Sequence, residues 1–270
     1  MALQMAVSGA VALAGMMFVI WLLSVRLKNA GIVDVGWTLG LVILAVGYAW
    51  QGPGFGPRKW LLAAMVAFWG FRLALHLVRR IASEPEDGRY QQLRREWAGK
   101  NVNLRFLFFF EFQAVLDVVL SLPMLAAAMN PAPSLSWLEY AGAALWLVAV
   151  VGESVADAQL AAFKRDARNR GRVCQVGLWR YSRHPNYFFE WLVWVAWLVY
   201  ALASPWGWTA VICPALMLFF LFRVTGIPAT EAQALRSRGE EYRRYQETTS
   251  AFVPWVSSSR VSEKTMAGHG

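Results

Sequence analysis

Carboxylates, an amide and basic side chains recur at helical spacing where the surrounding sequence is otherwise apolar. Glu153, Asp157 and Lys164 are 4 and 11 positions apart, which at about 100° per residue sets them within about 40° of one helix face. Asn186 and Glu190 are again four apart, and the two sets flank a basic segment, residues 164–183. Arginines such as those in this segment take phosphate groups, often bidentately. Carboxylates and an amide beside them accept hydrogen bonds from ribose hydroxyls or a carboxamide. The combination suits a nucleotide cofactor. A solvated basic loop lying on anionic lipid is the plainer reading of the same residues.

Further ionisable residues stand inside apolar stretches: Asp34, then Arg72 and His76 four apart, then Glu111 and Asp117, with Gln113 between them. Such residues are costly in a membrane and are functional candidates by default. Each also has an ordinary explanation, a buried hydrogen bond or ion pair that fixes helix packing.

The elements that must carry these residues are membrane helices. The 270-residue chain is 57% hydrophobic and only 16% charged, with 15 Trp and 16 Phe, whereas soluble domains carry about 25% charged residues. Seven apolar spans match the roughly 30 Å hydrocarbon core: Met5–Val25, Ala30–Trp50, Trp60–Val78, Phe106–Met129, Leu135–Phe163, Tyr187–Ala203 and Trp206–Phe222. None alternates in polarity as a barrel strand would. The first carries no basic start and is longer than a signal peptide's apolar core, so it reads as a retained span. The expected fold is an all-α integral membrane protein, one seven-helix domain over 1–256 with its cofactor-binding part at about 150–255. A disordered tail is expected at 257–270.

Of the 26 Lys and Arg residues, seven lie in 79–105, seven in 164–183 and seven from Arg223 onward, whereas 130–134 and 204–205 hold none. Alternate connections are basic, which puts the N-terminus outside and the C-terminus in the cytoplasm. The net charge of +9 is thereby mostly cytoplasmic, facing head groups or an anionic ligand rather than nucleic acid. No internal repeat is visible. The two cysteines, Cys174 and Cys213, form no metal or disulfide pattern, and His76, His184 and His269 are scattered, so no metal site is encoded.

The segment Gly177-Leu-Trp-Arg-Tyr-Ser-Arg-His-Pro-Asn-Tyr-Phe-Phe-Glu190 resembles the C-terminal signature of the steroid 5α-reductase family, and the chain is similar to its bacterial membrane members. The face carrying Glu153, Asp157 and Lys164 and the closing stretch Glu241 to Trp255 resemble that family too, so the likeness covers about 150–255. The resemblance implies a seven-helix reductase in the bacterial inner membrane. It would use NADPH from the cytoplasm to reduce a carbon–carbon double bond conjugated to a carbonyl in a steroid or other lipid, with no protein partner required. It implies cofactor contacts from Asp157, Lys164, Arg172, Tyr181, Arg183, His184, Asn186, Tyr187, Glu190 and Tyr245. Lys164 stands where the family tends to have Arg, and Glu153 where it has Asn. The family polarises its substrate ketone with a Glu in span two and a Tyr in span three. Here those places are met by Asp34 and Trp69, and span three has no Tyr. An indole cannot serve as the proton donor, so the donors to expect are Asp34, His76 or Glu111. Arg79, Arg80 and Arg89 in the loop 79–105 are further candidates for phosphate contacts.

A second resemblance competes. Arg183-His184-Pro185 and Glu231 are similar to elements of the isoprenylcysteine carboxyl and phospholipid methyltransferases, which would imply S-adenosylmethionine. A transporter is less well matched, since Pro and Gly fall mostly at span ends.

Overall fold

The computed structural model describes residues 1–224 and 226–256; the tail expected to be disordered, 257–270, lies outside the described residues. Among the described residues the chain is helical, with one isolated bridge, Ser182 with Ser250, in place of any strand. The order is α1 (Ala2–Leu27), α2 (Ile32–Gln51), α3 (Gly56–Ser83), α4 (Gly88–Glu96), α5 (Val102–Leu120), α6 (Leu122–Met129), α7 (Trp137–Arg165), α8 (Pro185–Ala201), α9 (Ile212–Phe219), α10 (Ile227–Arg238) and α11 (Glu240–Thr248). A 3-10 turn, Gly207–Val211, leads into α9, and a π turn, Phe220–Val224, follows it.

Five helical segments are long and apolar enough to cross a membrane: α1, α2, α3, α7 and the run Gly207–Arg238. A sixth arises if α5 and α6, bent by 40° at their junction, count as one span. This falls short of the seven expected, because α8 has only 17 residues and begins directly at the Arg183-His184-Pro185 motif. The bend between α5 and α6 has a local cause. Pro123 opens α6 and has no N–H to give the carbonyl of Val119 four residues back. The Cys213 thiol donates there instead, 3.7 Å from that oxygen and 3.6 Å from the carbonyl of Leu120.

The helices divide into two compact units, the first made of Met1–Ala143 with Trp197–Cys213, the second of Ala144–Ala196 with the chain from Pro214 onward. In the first unit α2 lies at the centre, and small residues let its neighbours close on it. A Cβ on Gly70 of α3 would strike the side chain of Val42, and one on Gly40 would strike the carboxylate of Asp117, the close-approach device of membrane helices. The fully buried Trp69 stands edge-on to Trp197 at 5.2 Å and to Trp37 at 6.0 Å. Trp69 is thus a packing residue. Exposed Trp50, Trp60, Trp137 and Trp208 sit at the ends of their helices remote from the basic connections, as an interfacial aromatic belt does.

That same end is tied by a buried ion pair. Arg58 donates through Nε to Glu139 and through its other nitrogens to the carbonyls of Asn130, Ala132 (2.7 Å) and Ser134. Glu139 also accepts from the Ser136 amide at 2.6 Å, and Tyr200 donates to the Arg58 carbonyl at 2.8 Å.

In the second unit Gly152 of α7 faces the ring of Phe189 on α8, with no room for a Cβ. The turn 177–180 is pinned to α7: the Trp179 indole donates to the Ala156 carbonyl at 2.8 Å, and the Leu178 amide to Gln159 Oε1 at 2.8 Å. Phe252 from the closing stretch packs edge-on against Phe188, Trp191 and Phe222.

Candidate functional site

The expected site residues fall into two groups, one in each unit. In the second unit Asp157 and Asn186 meet, the Asn186 amide donating to Asp157 Oδ1 at 3.2 Å. α7 carries the one and α8, started by Pro185, carries the other in its first turn. The carbonyl oxygen of Asn186 is buried and accepts no hydrogen bond. Leaving such a group unmade costs about 1–3 kcal/mol, so it is an acceptor waiting for a donor. Glu153, one turn before Asp157, is buried, and Glu190, one turn after Asn186, is half-buried. Three carboxylates and an amide whose oxygen is unused, carried on two helices, could accept from the hydroxyl and carboxamide donors of a nucleotide.

Around this pair the motif residues are mostly engaged with the protein. Arg183 donates to Glu231 at 2.7 Å and to the carbonyls of Gln246 (2.9 Å) and Thr249 (2.6 Å). His184 is buried, with Nε2 3.2 Å from the same Glu231 oxygen, and stacks on Tyr187 at 5.3 Å. Gln246 donates to the other Glu231 oxygen at 2.8 Å. Tyr245 donates to the carbonyls of Trp179 and Ser182. The Arg183 amide bonds the Ser250 carbonyl at 2.8 Å, and Ser182 bonds that of Phe252 at 2.7 Å. Arg183, His184 and Tyr245 therefore build the strap that holds α10, α11 and the closing stretch on the motif. Lys164, Arg172 and Tyr181 are exposed and are the positions open to a ligand's phosphates or ring.

Glu231 is the hub of the strap. Replacing it by Ala strands three donors, and with charged hydrogen bonds contributing about 1.5–3 kcal/mol we expect Glu231→Ala to lower the melting temperature and to speed proteolysis within 226–256. Unchanged cleavage of that stretch would remove Glu231 from this role.

In the first unit Asp34 sits in the first turn of α2. Its two oxygens accept from the Tyr90 hydroxyl at 2.6 Å and from Arg89 at 3.2 Å. Among the described residues no hydrogen bond joins His76 or Glu111 to it; His76 is exposed on α3 and Glu111 half-buried on α5. Tyr90 was not among the expected site residues, because the polar stretch around it reads as a loop. Asp87 caps that stretch into α4, accepting from the Arg89 amide at 2.9 Å, and so turns Tyr90 onto Asp34. Burial, and then the neighbouring Asp34 charge, push the Tyr90 phenol well above its ordinary pKa, so it keeps its proton across the physiological range. Burial alone would raise Asp87, but hydrogen bonds and charge from Arg89 outweigh it and hold that carboxyl low.

The arginines expected over a phosphate are largely neutralised here. Arg80 pairs with Asp87 at 3.0 Å and Arg89 with Asp87 and Asp34; Arg94 of the same loop, which was not among them, pairs with Glu86 at 2.8 Å. Arg79 is exposed.

A family model described as "Protein of unknown function (DUF1295)" matches residues 20–249. No curated protein matches the chain, and no solved structure does.

Proposed function

The chain belongs to the DUF1295 family, whose match takes in every candidate site residue from Asp34 to Tyr245, and on that premise we propose that it is a membrane-bound, NADPH-dependent reductase. Its substrate class is a lipid carrying a carbon–carbon double bond conjugated to a carbonyl. The resemblance of Gly177–Glu190 to the steroid 5α-reductase signature suggests the chemistry, and the Asp157–Asn186 pair with its unused acceptor carries the reading. In this reading α8 is a further, short span, so that seven helices cross the inner membrane. The N-terminus is then outside and the C-terminus in the cytoplasm, as the basic connections favour.

NADPH, when bound, supplies a hydride for the β-carbon of the enone. Asp157, Asn186 and Glu190 hold its nicotinamide and ribose end, while Lys164 and Arg172 meet its phosphates. The enolate that forms takes its balancing proton, at the carbon next to the carbonyl, from water. In the first unit the Tyr90 phenol spends its one proton on Asp34 and Arg89 meets the other Asp34 oxygen, so the three make a closed polar cluster at the start of α2.

Removing the Asn186 carboxamide takes away both its bond to Asp157 and the free acceptor. At about 1.4 kcal/mol per tenfold, Asn186→Ala should weaken NADPH binding about tenfold or more in a fluorescence titration, with the melting temperature of the unliganded protein preserved. Equal affinity in the variant would contradict the assignment.

The methyltransferase reading keeps one observation on its side: Arg183 and His184, which carry that resemblance, both meet on Glu231. S-adenosylmethionine has no phosphate to use the exposed basic positions, which is why the reductase is preferred.

A further inference from the structure

Not every basic residue on the cytoplasmic side is spent on a carboxylate. Arg80, Arg89 and Arg94 are ion-paired, but Arg26 at the end of α1, and Lys100 and Arg105 beside the start of α5, have no carboxylate within ion-pair distance among the described residues. The helices that carry them are fastened to each other there, the Trp21 indole of α1 donating to the Asn103 carbonyl at 2.9 Å. On either side of the α5 start lies an open groove. One, of about 670 Å³, has Arg26 and Asn101 at its polar end and Val19, Leu22 and Leu23 as walls. The other, of about 600 Å³, has Lys100 and Arg105 at its polar end and Phe108 and Phe112 as walls. Asn101 and Leu104 line both. The Arg105 guanidinium lies over the Trp97 ring, 5.9 Å from its centre, so a second interfacial indole marks the same level.

We propose that this ridge is a binding site for one anionic phospholipid, its head group held over Asn101 between Arg26 and the Lys100–Arg105 pair, with an acyl chain in each groove astride Leu104. The geometry asks for a phosphate flanked by two apolar tails, which a phospholipid supplies. Three cations without counter-charge, two of them beside the positive end of α5, select a net-negative head group over one that carries its own ammonium. Basic residues at a membrane surface contribute about fivefold each, so three give roughly a hundredfold preference. The site does not depend on the reductase reading, since none of its residues is placed in that chemistry.

The test is thermal unfolding of the full chain in nonionic detergent, with phosphatidylglycerol or phosphatidylcholine of matched chains added. A ligand that binds only the folded state raises its melting point, so phosphatidylglycerol should raise it by about 3 °C or more and phosphatidylcholine should not. Arg26→Gln/Lys100→Gln/Arg105→Gln should abolish the rise. Arg165→Gln/Arg170→Gln/Arg236→Gln, which removes the same charge elsewhere, should keep it. No rise in the wild type, equal responses to the two lipids, a rise surviving in the first triple variant, or its loss in both would overturn the proposal. So would an equal rise with soluble glycerophosphate, which would assign the cations to free phosphate.

Discussion

Tyr90→Phe should lower the melting temperature by about 5 °C, the cost of losing one hydrogen bond to a charged acceptor, about 1.5–3 kcal/mol. The substitution removes a single oxygen from a ring that stays buried against Phe109, 6.1 Å away, so the fold should survive. Asp34→Asn is the companion. It keeps an acceptor for the phenol at 2.6 Å but withdraws the charge that pairs with Arg89, so it should come with a lowered pKa of the Tyr90 phenol. Thermal unfolding of the full chain in detergent and a spectroscopic titration of the phenol check both. A Tyr90→Phe protein that melts with the wild type would mean that Asp34 is held by other groups.

The largest effect on stability should come from the opposite end of the first unit. Arg58 and Glu139 are side chains with 1% and 0% exposure, and Arg58 also serves three carbonyls of the 130–134 connection. Breaking a buried pair by removing one member costs about 3–5 kcal/mol, because the remaining charge is left without its partner. Arg58→Met is therefore expected to lower the melting temperature by roughly 10 °C. Arg58→Lys should recover little of this, since a single ammonium cannot reach a carboxylate and three carbonyls as the planar fork does. A melting temperature unchanged in Arg58→Met would mean that the connection is held by something else. Nothing in the sequence around Arg58 announces this role: it stands beside Lys59 at the start of a span, where a basic residue ordinarily meets water or head groups.

The two groups of candidate residues differ in how far they could be read beforehand. Asp157 and Asn186 were legible because helical spacing constrains both: each lies four residues from a glutamate on its own helix, and the Arg-His-Pro element places the start of α8 at Asn186. The strap was half legible. Arg183, His184, Tyr245 and Glu231 all belong to motifs that can be quoted from the sequence, but a motif does not say whether an arginine faces a ligand or a carbonyl, and here Arg183 faces the protein. Tyr90 was not legible as the partner of Asp34, since it lies in the polar stretch Gly88–Glu96 and reaches Asp34 from a short helix that Asp87 caps. The Asp-Gly-Arg-Tyr run was the available signal. The apolar spans matched their helices to within a few residues. Hydropathy could not show that Pro123 splits the fourth into α5 and α6 or that α8 would be only 17 residues long.

Cofactor choice tests the central claim most directly. Detergent-purified protein is melted with NADPH, NADH and S-adenosylmethionine at matched concentrations, in the wild type and in Asn186→Ala. A ligand at a hundred times its dissociation constant stabilises the folded state by about 2.7 kcal/mol. The reductase account predicts a clear rise with NADPH, a smaller one with NADH, which lacks the third phosphate, and an NADPH response cut to about half or less in Asn186→Ala. A rise with S-adenosylmethionine alone would contradict it and establish the methyltransferase reading in its place.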